Sequence, residues 1–174
     1  MELIKAKAED FEVIYSEMEK SFVREEIRDR ARAREVMDEE NYVIYHVTDD
    51  DTRVGFITIW ELSGFAFAEH FVTYEEFRNK GYGKEALKMI EEKYKKVVLE
   101  VEPPEDGIKK RRIAFYKRQG FFENAQPYIQ PPYRDEDEGV PLIIMSYPAK
   151  LSDFEAHVTE IYGRVYNKTY RSTK

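Results

Sequence analysis

The sequence predicts an α/β fold in which helices pack against one sheet. Three observations support this prediction: β-rich runs come first as an antiparallel meander, a glycine turn then joins a strand directly to a helix, and a further strand and helix follow. A chain of 174 residues is long enough for one domain with a substantial core and too short for two complete ones.

The N-terminal segment is expected to hold one strand and two helices. Residues 3–7 alternate apolar and polar side chains, as in a strand, and residues 9–22 carry apolar side chains at helical spacing. The highly charged residues 24–39 are expected to form a second, surface helix, because the apolar stripe is thin and mixed charges at these spacings are typical of intrahelical pairs.

The meander is expected to contain three strands. Residues 42–47 and 53–61 are β-rich and flank a polar stretch that is typical of a hairpin turn, and residues 65–73 form the third run. The three consecutive aspartates of the first turn lack the glycine and the terminal glutamate of a calcium loop. We therefore interpret this stretch as a solvated turn.

The second half of the chain is expected to alternate strands and helices. Residues 96–102 predict a buried strand with Glu100 and Glu102 on one face, because strand side chains alternate. A helix is predicted for residues 108–119, since Gly120 can end it, and a proline- and tyrosine-rich loop at 127–139 precedes the last strand.

A final helix is predicted from the sequence Ser152-Asp153-Phe154-Glu155, which matches a capping box, and is expected to extend to about Asn167. Its apolar side chains offer enough surface either to cover the domain or to pair with a second copy. We interpret this as favouring a homodimer slightly.

Composition and charge exclude several kinds of function. A net charge of −7 disfavours wrapping nucleic acid and fits a cationic acceptor such as an amine. No apolar run is long enough to span a membrane, and the N-terminus lacks the apolar core of a signal peptide, so we expect a cytoplasmic protein with no membrane partner. The absence of cysteine excludes disulfides and thiolate chemistry, and three separated histidines argue against a metal site.

The turn Arg78-Asn79-Lys80-Gly81-Tyr82-Gly83 stands between a strand and a helix. Glycines at the start of a helix let the backbone approach a ligand, and the free N–H groups with the helix dipole attract an anion such as phosphate. The alternative is that Gly81 and Gly83 only form a tight turn, since short motifs match by chance.

A second motif supports the functional interpretation. Residues 78–83 resemble the R/Q-x-x-G-x-G/A turn of the GNAT superfamily of N-acetyltransferases, and residues 115–121, FYKRQGF, resemble its second signature, a helix that ends in Leu/Phe-Tyr-x-x-x-Gly-Phe. The resemblance implies a mixed, mostly antiparallel, twisted sheet flanked by helices over residues 1–148. Residues 149–174 would be a C-terminal helical extension packed on the same domain.

The resemblance also implies which residues bind acetyl-CoA, the co-substrate of the family. The strand before the turn would offer backbone groups to the pantetheine arm, the turn would hold the pyrophosphate, and no metal would take part. The implied cofactor-binding residues are Phe71, Val72, Thr73, Arg78, Asn79, Lys80, Gly81, Tyr82, Gly83 and Lys84.

The implied catalytic residues are Tyr116, Glu100 and Glu69. Tyr116 matches the family's general acid, which would protonate the leaving thiolate. Glu100 and Glu69 compete for the role of general base; the base could equally act through water, and one of the two could only bind a cationic substrate. The alternative for Tyr116 is a core tyrosine.

The sequence departs from the family pattern after the buried strand. Where many members have an asparagine that touches the pantetheine, this chain has a longer connection, with Lys109 and Arg112 at the nearest spacings. Either residue could reach the cofactor phosphates or face water. Candidates for lining the acceptor site are Glu17, Phe22, Glu26, Tyr128 and Tyr133.

Two functions of different classes follow from these residues. The first is transfer of an acetyl group from acetyl-CoA to a primary amine by direct attack, with a small amine or a protein amine as acceptor. The second is a non-catalytic module that binds CoA or acetyl-CoA and regulates a partner. Tyr116 with an accessible carboxylate is the feature that separates the two.

Overall fold

A computed structural model describes residues 1–171 and places an eight-stranded sheet between two layers of helices. The predicted fold class is confirmed. The strands are β1 (Glu2–Lys5), β2 (Tyr42–Asp49), β3 (Thr52–Leu62), β4 (Phe65–Thr73), β5 (Val97–Val101), β6 (Phe122–Glu123), β7 (Tyr128–Gln130) and β8 (Val140–Tyr147), and the helices are α1 (Phe11–Ser21), α2 (Arg30–Val36), α3 (Tyr82–Tyr94), α4 (Gly107–Arg118) and α5 (Phe154–Arg164).

The strand order is β1-β2-β3-β4-β5-β8-β6, with β7 paired to β8. Strands β4 and β5 pair in parallel, and the other pairs are antiparallel. The predicted meander is therefore confirmed as β2, β3 and β4. The predicted loop at 127–139 is wrong in one respect, because its first residues form β7 against the start of β8. Within residues 1–171, no helix is both long and apolar enough to cross a bilayer.

Each face of the sheet has its own apolar core. One core joins α1 and α5 to side chains such as Trp60, Phe67 and Val98, and the other joins α3 and α4 to side chains such as Ile57 and Leu99. Neighbouring strand residues contribute to opposite cores because strand side chains alternate. Every strand near the centre is thus covered on both sides, which explains its continuous apolar sequence.

The predicted surface helix at residues 24–39 is confirmed only for Arg30–Val36 and is wrong for the residues before it. A short 3-10 turn spans Arg24–Glu26, Ile27 and Arg28 are buried, and α2 begins only after Asp29. The Asp29 side chain accepts the N–H of Arg32 at 3.0 Å and so caps the helix. The helix is interrupted here because the adjacent side chains of Ile27 and Arg28 are both buried, which a regular surface helix does not allow.

The C-terminal helix packs on the rest of the chain. Asp153 caps it by accepting the N–H of Ala156 at 3.0 Å, and the helix ends at Arg164, three residues before the predicted end. Phe154, Val158 and Ile161 are buried in the core shared with α1. The apolar side chains on which the homodimer prediction was based are therefore used within the chain itself.

Candidate active site

Glu69 and Glu100 lie where two parallel strands separate. The pairing of β4 with β5 extends only over Ala66–Ala68 and Val97–Leu99, and the two glutamates are the next residues on their strands. Beyond this point the sheet opens into a fork. Backbone groups of β4 on this side have no strand partner, which suits the binding of an extended ligand.

A β-bulge at Glu69 changes which side chains of β4 face the fork. Thr58 of β3 pairs with His70 and Ile59 pairs with Ala68, so Glu69 is the extra residue. Phe67 before the bulge and Val72 after it both belong to the core with α5. They are five positions apart, an odd number that would place them on opposite faces of a regular strand. The bulge therefore reverses the alternation along β4.

A cavity of about 400 Å³ opens at the fork. It brings all three predicted catalytic residues together with part of the predicted cofactor site. The lining includes Glu69, Glu100, Tyr116, Phe71, Val72, Thr73, Arg78 and Arg112. The chain thus gathers two carboxylates, a phenol and two arginines from β4, β5, α4 and the connection before α3.

Glu69 is fully engaged by buried partners. Its carboxylate lies 2.7 Å from Nη1 of Arg28 and accepts hydrogen bonds from Trp60 Nε1 at 3.1 Å and Tyr133 Oη at 2.9 Å. The Arg28 guanidinium in turn lies 5.5 Å from the ring centroid of Trp60 and 4.6 Å from that of Tyr133. This arrangement neutralises and fixes the carboxylate.

The surroundings of Glu69 favour its ionised form. Burial alone would raise its pKa, but the charges of Arg28 and His70 and the hydrogen bonds from Arg28 and Tyr133 outweigh burial and keep the pKa below the ordinary value of 4.5. Glu69 is therefore an ionised group whose charge is already paired. It is a poor proton acceptor at neutral pH.

Glu100 has a different environment, although it stands on the neighbouring strand. Tyr166 donates a hydrogen bond of 2.8 Å to Oε2, and Tyr128 donates a hydrogen bond to Oε1. Burial raises the pKa of Glu100 to about 7, the two tyrosine hydrogen bonds lower it in part, and the charge of Glu69 raises it further. A carboxylate with this pKa can accept a proton at neutral pH and release it again.

Tyr116 presents its hydroxyl to the cavity from α4. The residue is 9% exposed, and its ring packs between Phe115 and Phe121, at centroid distances of 5.3 Å and 5.6 Å. Burial raises its pKa to about 12, with Arg112 acting in the opposite direction. Within the part of the chain that the structure describes, nothing hydrogen-bonds its hydroxyl, so the proton is available to a ligand.

The glycine turn has the backbone of an anion site. Gly81 is the N-cap of α3 with φ of +92°, and Asn79 has φ of +62°, a conformation that glycine and asparagine tolerate best. The first N–H groups of α3 have no partner within the helix. A Cβ on Gly83 would lie 3.5 Å from Thr73 Oγ1, which places this turn directly beside the end of β4.

The side chains of the turn have separate contacts. Arg78 lines the cavity and donates from Nε to the carbonyl of Thr73 at 3.1 Å, and Tyr82 donates to Asp49 at 3.1 Å. Lys80 lies over the ring of Phe77. The backbone N–H of Arg78 donates to Glu75 and that of Lys84 donates to Gly81, so the N–H groups of residues 79–83 are left to a ligand. The residues present fit the pyrophosphate and arm of CoA.

Lys109 and Arg112 both bind Glu102 at the end of β5. Nζ of Lys109 lies 3.3 Å and Nη1 of Arg112 lies 2.5 Å from the Glu102 carboxylate, and Lys109 also pairs with Glu105. One alternative from the sequence was that Lys109 and Arg112 only face water. Neither does, because both contact Glu102. Arg112 also lines the cavity, so it brings a positive charge to the fork.

The predicted acceptor residues fall into three groups. Phe22, Glu26 and Tyr133 line a pocket of about 70 Å³ that shares Glu69 and Glu100 with the main cavity. Tyr128 instead binds Glu100. The structure does not place Glu17 in either pocket, and it pairs with Lys20 at 2.6 Å.

Sequence reasoning missed Arg28 and Tyr166. Both lie in segments that were interpreted as surface or as a terminal extension, yet they supply the partners of the two glutamates. A sequence signal existed for Arg28. It follows Ile27 in the predicted helix at residues 24–39, and the thin apolar stripe of that predicted helix indicates that the segment does not form one regular surface helix. Tyr166 had no such signal, since only the fold brings it to β5.

The residues 7–121 match the model of the family described as Acetyltransferase (GNAT) family. The chain belongs to the GNAT acetyltransferase family. The expectation of an acetyl-CoA-dependent acyltransferase is therefore confirmed at the level of the family, whose general reaction is N-acetylation with acetyl-CoA as co-substrate.

Solved structures and a curated relative agree with this assignment. A GNAT-family protein from Bacteroides thetaiotaomicron is 34% identical, with a TM-score of 0.90 and coverage of 95% of this chain and 98% of that one. An aminoglycoside 6'-N-acetyltransferase complexed with coenzyme A shares the fold, with a TM-score of 0.62 at 14% identity over 88% of this GNAT chain and 100% of its own.

The curated relative is YjbC of Bacillus subtilis (strain 168), whose name assigns it to the acetyltransferases. It is 27% identical over 114 residues, which are 64% of this GNAT chain. The match spans little more than half, 57%, of that relative's length.

Proposed function

We propose that this GNAT protein transfers an acetyl group from acetyl-CoA to a primary amine by direct attack, without a covalent enzyme intermediate. The observation that carries the proposal is the cavity at the fork, which holds Glu100 and Tyr116 together beside the glycine turn. Acetyl-CoA supplies the activated acetyl thioester. The chain supplies binding groups, a base and an acid.

Glu100 is the proposed general base. Its pKa of about 7 lets it take a proton from the ammonium form of the acceptor near neutral pH, and it lines both the main cavity and the smaller pocket. Glu69 lines the same space, but its charge is paired with Arg28. We therefore assign Glu69 to holding the base and the acceptor pocket in place rather than to proton transfer.

Tyr116 is the proposed general acid. Its raised pKa keeps the phenol protonated at neutral pH, and its hydroxyl is free to donate to the leaving sulfur. Arg112, on the same helix, lines the cavity. A positive charge near the phenol favours the phenolate that remains after the proton has been given up.

The glycine turn and the end of β4 are the proposed cofactor site. The N–H groups of Asn79, Lys80, Gly81, Tyr82 and Gly83 would hold the pyrophosphate, with Arg78 as a neighbouring cation. The predicted N–H of Lys84 is not among them, because it donates to the carbonyl of Gly81 at 3.0 Å. Backbone groups of Phe71, Val72 and Thr73 would hold the arm, because within residues 1–171 this part of β4 pairs with β3 on one side only, and its pairing with β5 ends at Ala68.

The acceptor is proposed to be a small amine, or the terminal amine of a longer molecule. The pocket next to Glu100 measures only about 70 Å³ and is lined by Glu26 and Glu102, of which Glu102 is paired with Lys109 and Arg112. The carboxylate of Glu26 attracts a cationic amine and disfavours an acidic one. The aminoglycoside relative is too distant in sequence for its acceptor to be carried over.

The test is the release of free thiol from acetyl-CoA in the presence of spermidine, kanamycin and a peptide with N-terminal alanine. The proposal expects at least one amine to accelerate release, with an acetylated product seen by mass spectrometry. If CoA raises the melting temperature but no amine is acetylated, the regulatory binding module is the better function. If CoA gives no thermal shift, both functions are wrong.

Changing Tyr116 to Phe is expected to lower kcat about 10- to 100-fold, with little change in the KM for acetyl-CoA, because the leaving thiolate loses its proton donor. The matched control is Tyr147→Phe, which alters a ring that packs against Phe121 outside the cavity. Equal kcat values for the two variants would remove the acid role of Tyr116.

A further inference from the structure

The segment that follows α5 contacts Glu100 of the candidate active site. Val165 and Tyr166 are 5% and 6% exposed and belong to the same core as Trp60 and Tyr128. They come after the last residue of α5, in the part of the chain that lies beyond the family match at residues 7–121. A terminal segment that only covered an apolar face would have no need of a polar group directed inward.

Tyr166 holds one oxygen of Glu100, and Tyr128 holds the other. The hydrogen bond from Tyr166 to Oε2 is 2.8 Å long. A carboxylate offers about four acceptor positions, so two remain for an amine after the tyrosines have bound. Because the two phenols come from different elements, together they fix the rotation of the carboxylate about its side-chain bonds.

Tyr166 is itself fixed by two neighbours. Nη2 of Arg28 donates to the carbonyl of Val165 at 2.8 Å, which anchors the backbone next to Tyr166. The ring of Tyr133 lies 5.1 Å from the ring of Tyr166, and the Tyr133 hydroxyl binds Glu69. The hydroxyl of Tyr166 therefore has one defined position, directed at Glu100.

We propose that Tyr166 is a positioning residue for Glu100 and that the C-terminal segment thereby completes the catalytic site. The inference rests on the proposed function, in which Glu100 is the base. It gives residues 149–171 a part in the reaction, whereas the sequence suggested only an extension packed on the domain.

The groups that face Glu100 determine how its protonation responds to a change at Tyr166. They are Glu69 on β4, Tyr128 on β7 and Tyr166 after α5, and across the cavity Tyr116 and Arg112 on α4 and Arg78 before α3. The smaller pocket adds Glu26, His70, Glu102 and Tyr133, and Tyr162 of α5 interacts with Glu100 through its charge. Tyr128 and Tyr166 are the groups that favour the ionised carboxylate by hydrogen bonding. Removing one of these donors must favour the protonated form.

The experiment is Tyr166→Phe in the full chain, with two measurements. In the first, ¹³C NMR follows the titration of the Glu100 carboxyl carbon, identified by its absence in Glu100→Gln. In the second, kcat/KM is measured against pH with the fastest of the three amines. We expect the pKa to rise by about one unit, and kcat/KM on the acidic limb to fall about tenfold with recovery at high pH.

The matched control is Tyr162→Phe, which removes a phenol hydrogen bond of α5 to the carbonyl of Ile129 and leaves both contacts of Glu100 intact. It is expected to change neither titration nor rate. Tyr128→Phe is a second test variant and should shift both measurements in the same direction as Tyr166→Phe. It keeps the test decisive if Tyr166→Phe is poorly folded.

Several outcomes would overturn the inference. The positioning role is removed if the titration of Glu100 is unshifted in both Tyr166→Phe and Tyr128→Phe. It is also removed if the titration shifts but the pH profile of kcat/KM does not shift with it. In both cases Glu100 stays the base. Full activity of Glu100→Gln removes the base itself and, with it, this part of the proposed function. A uniform loss of rate at every pH would show a structural role only.

Discussion

Glu69 and Glu100 are chemically identical side chains at the same fork of the sheet, yet their environments drive them to opposite states. Glu69 is paired with Arg28 and accepts bonds from Trp60 and Tyr133, and its pKa lies below 4.5. Among residues 1–171, Glu100 is in contact with two phenols and no cation, and burial raises its pKa to about 7.

This difference shows how one cavity can hold a charge-paired carboxylate beside a carboxylate with a raised pKa. A cation in contact with a buried carboxylate stabilises the ionised form and removes its basicity, whereas phenols hold a carboxylate in place without adding a full charge. The ionised Glu69 also raises the pKa of Glu100 through the space between them. The two glutamates therefore act as a unit, in which one keeps the other basic.

The largest expected effect comes from removing the basic member. Glu100→Gln is expected to lower kcat about 10²- to 10⁴-fold, because the amide cannot accept the proton of the acceptor amine. Thiol release from acetyl-CoA measures this, and thermal stabilisation by CoA should persist. The control is Glu92→Gln, an exposed residue of α3 that pairs with Lys88. If Glu69→Gln lowers kcat as much while remaining folded, the assignment of the two roles is reversed.

The next effect concerns the paired member and is expected in stability. Arg28→Met should lower the free energy of unfolding by about 3 to 5 kcal/mol, because it leaves the buried Glu69 carboxylate without its cation. The double variant Arg28→Met/Glu69→Gln should recover part of this loss, since it removes the charge as well. Urea unfolding of the four chains gives the coupling energy. Additive losses would show that the pair is not coupled in the folded protein.

A smaller expected effect is that the two glutamates contribute to the free energy of unfolding with opposite dependence on pH. Glu69, with a lowered pKa, contributes stability that is present above its ordinary value of 4.5 and is lost as the pH falls through its folded pKa. Glu100, with a pKa raised to about 7, contributes stability that is fully present below 4.5 and is lost as the pH rises through about 7.

Urea unfolding against pH tests these opposite signs. Relative to the wild-type chain, Glu100→Gln should gain about 1 to 3 kcal/mol of stability between about pH 4.5 and pH 8, because the variant no longer has to bury a charge. Glu69→Gln should differ from the wild-type chain in its pH dependence below about pH 5, where Glu69 itself titrates, and also between about pH 4.5 and pH 7, where loss of the Glu69 charge lowers the pKa of Glu100. The same pH dependence for both variants would contradict the contrast between the two environments.

Much of the fold could be predicted from local sequence. The meander, the glycine turn before α3 and the helix ending at Gly120 follow from strand alternation, turn residues and capping, which act within a few residues. The errors occur where distant contacts override local preference. Residues 24–39 carry a helical pattern, but Arg28 leaves it to reach Glu69, which is 41 positions away in the numbering.

The candidate site could be predicted in part for the same reason. Tyr116, Glu100, Glu69, Phe71–Thr73 and Arg78 line one cavity. The choice between the two glutamates could not be made from sequence, because a pKa depends on burial and on partners from other elements. The bulge at Glu69 and the hydroxyl of Tyr166 are two such features.

The sequence by itself determined the family, the order of elements and the turn that opens α3, because each depends on residue types at short and fixed spacing. Only the tertiary structure decided which carboxylate is paired and which is basic. Arg28, Tyr128 and Tyr166 reach the fork from three separate segments, and their effect on Glu69 and Glu100 falls off within a few ångströms. A short-range interaction between residues far apart in sequence exists only once the chain has folded.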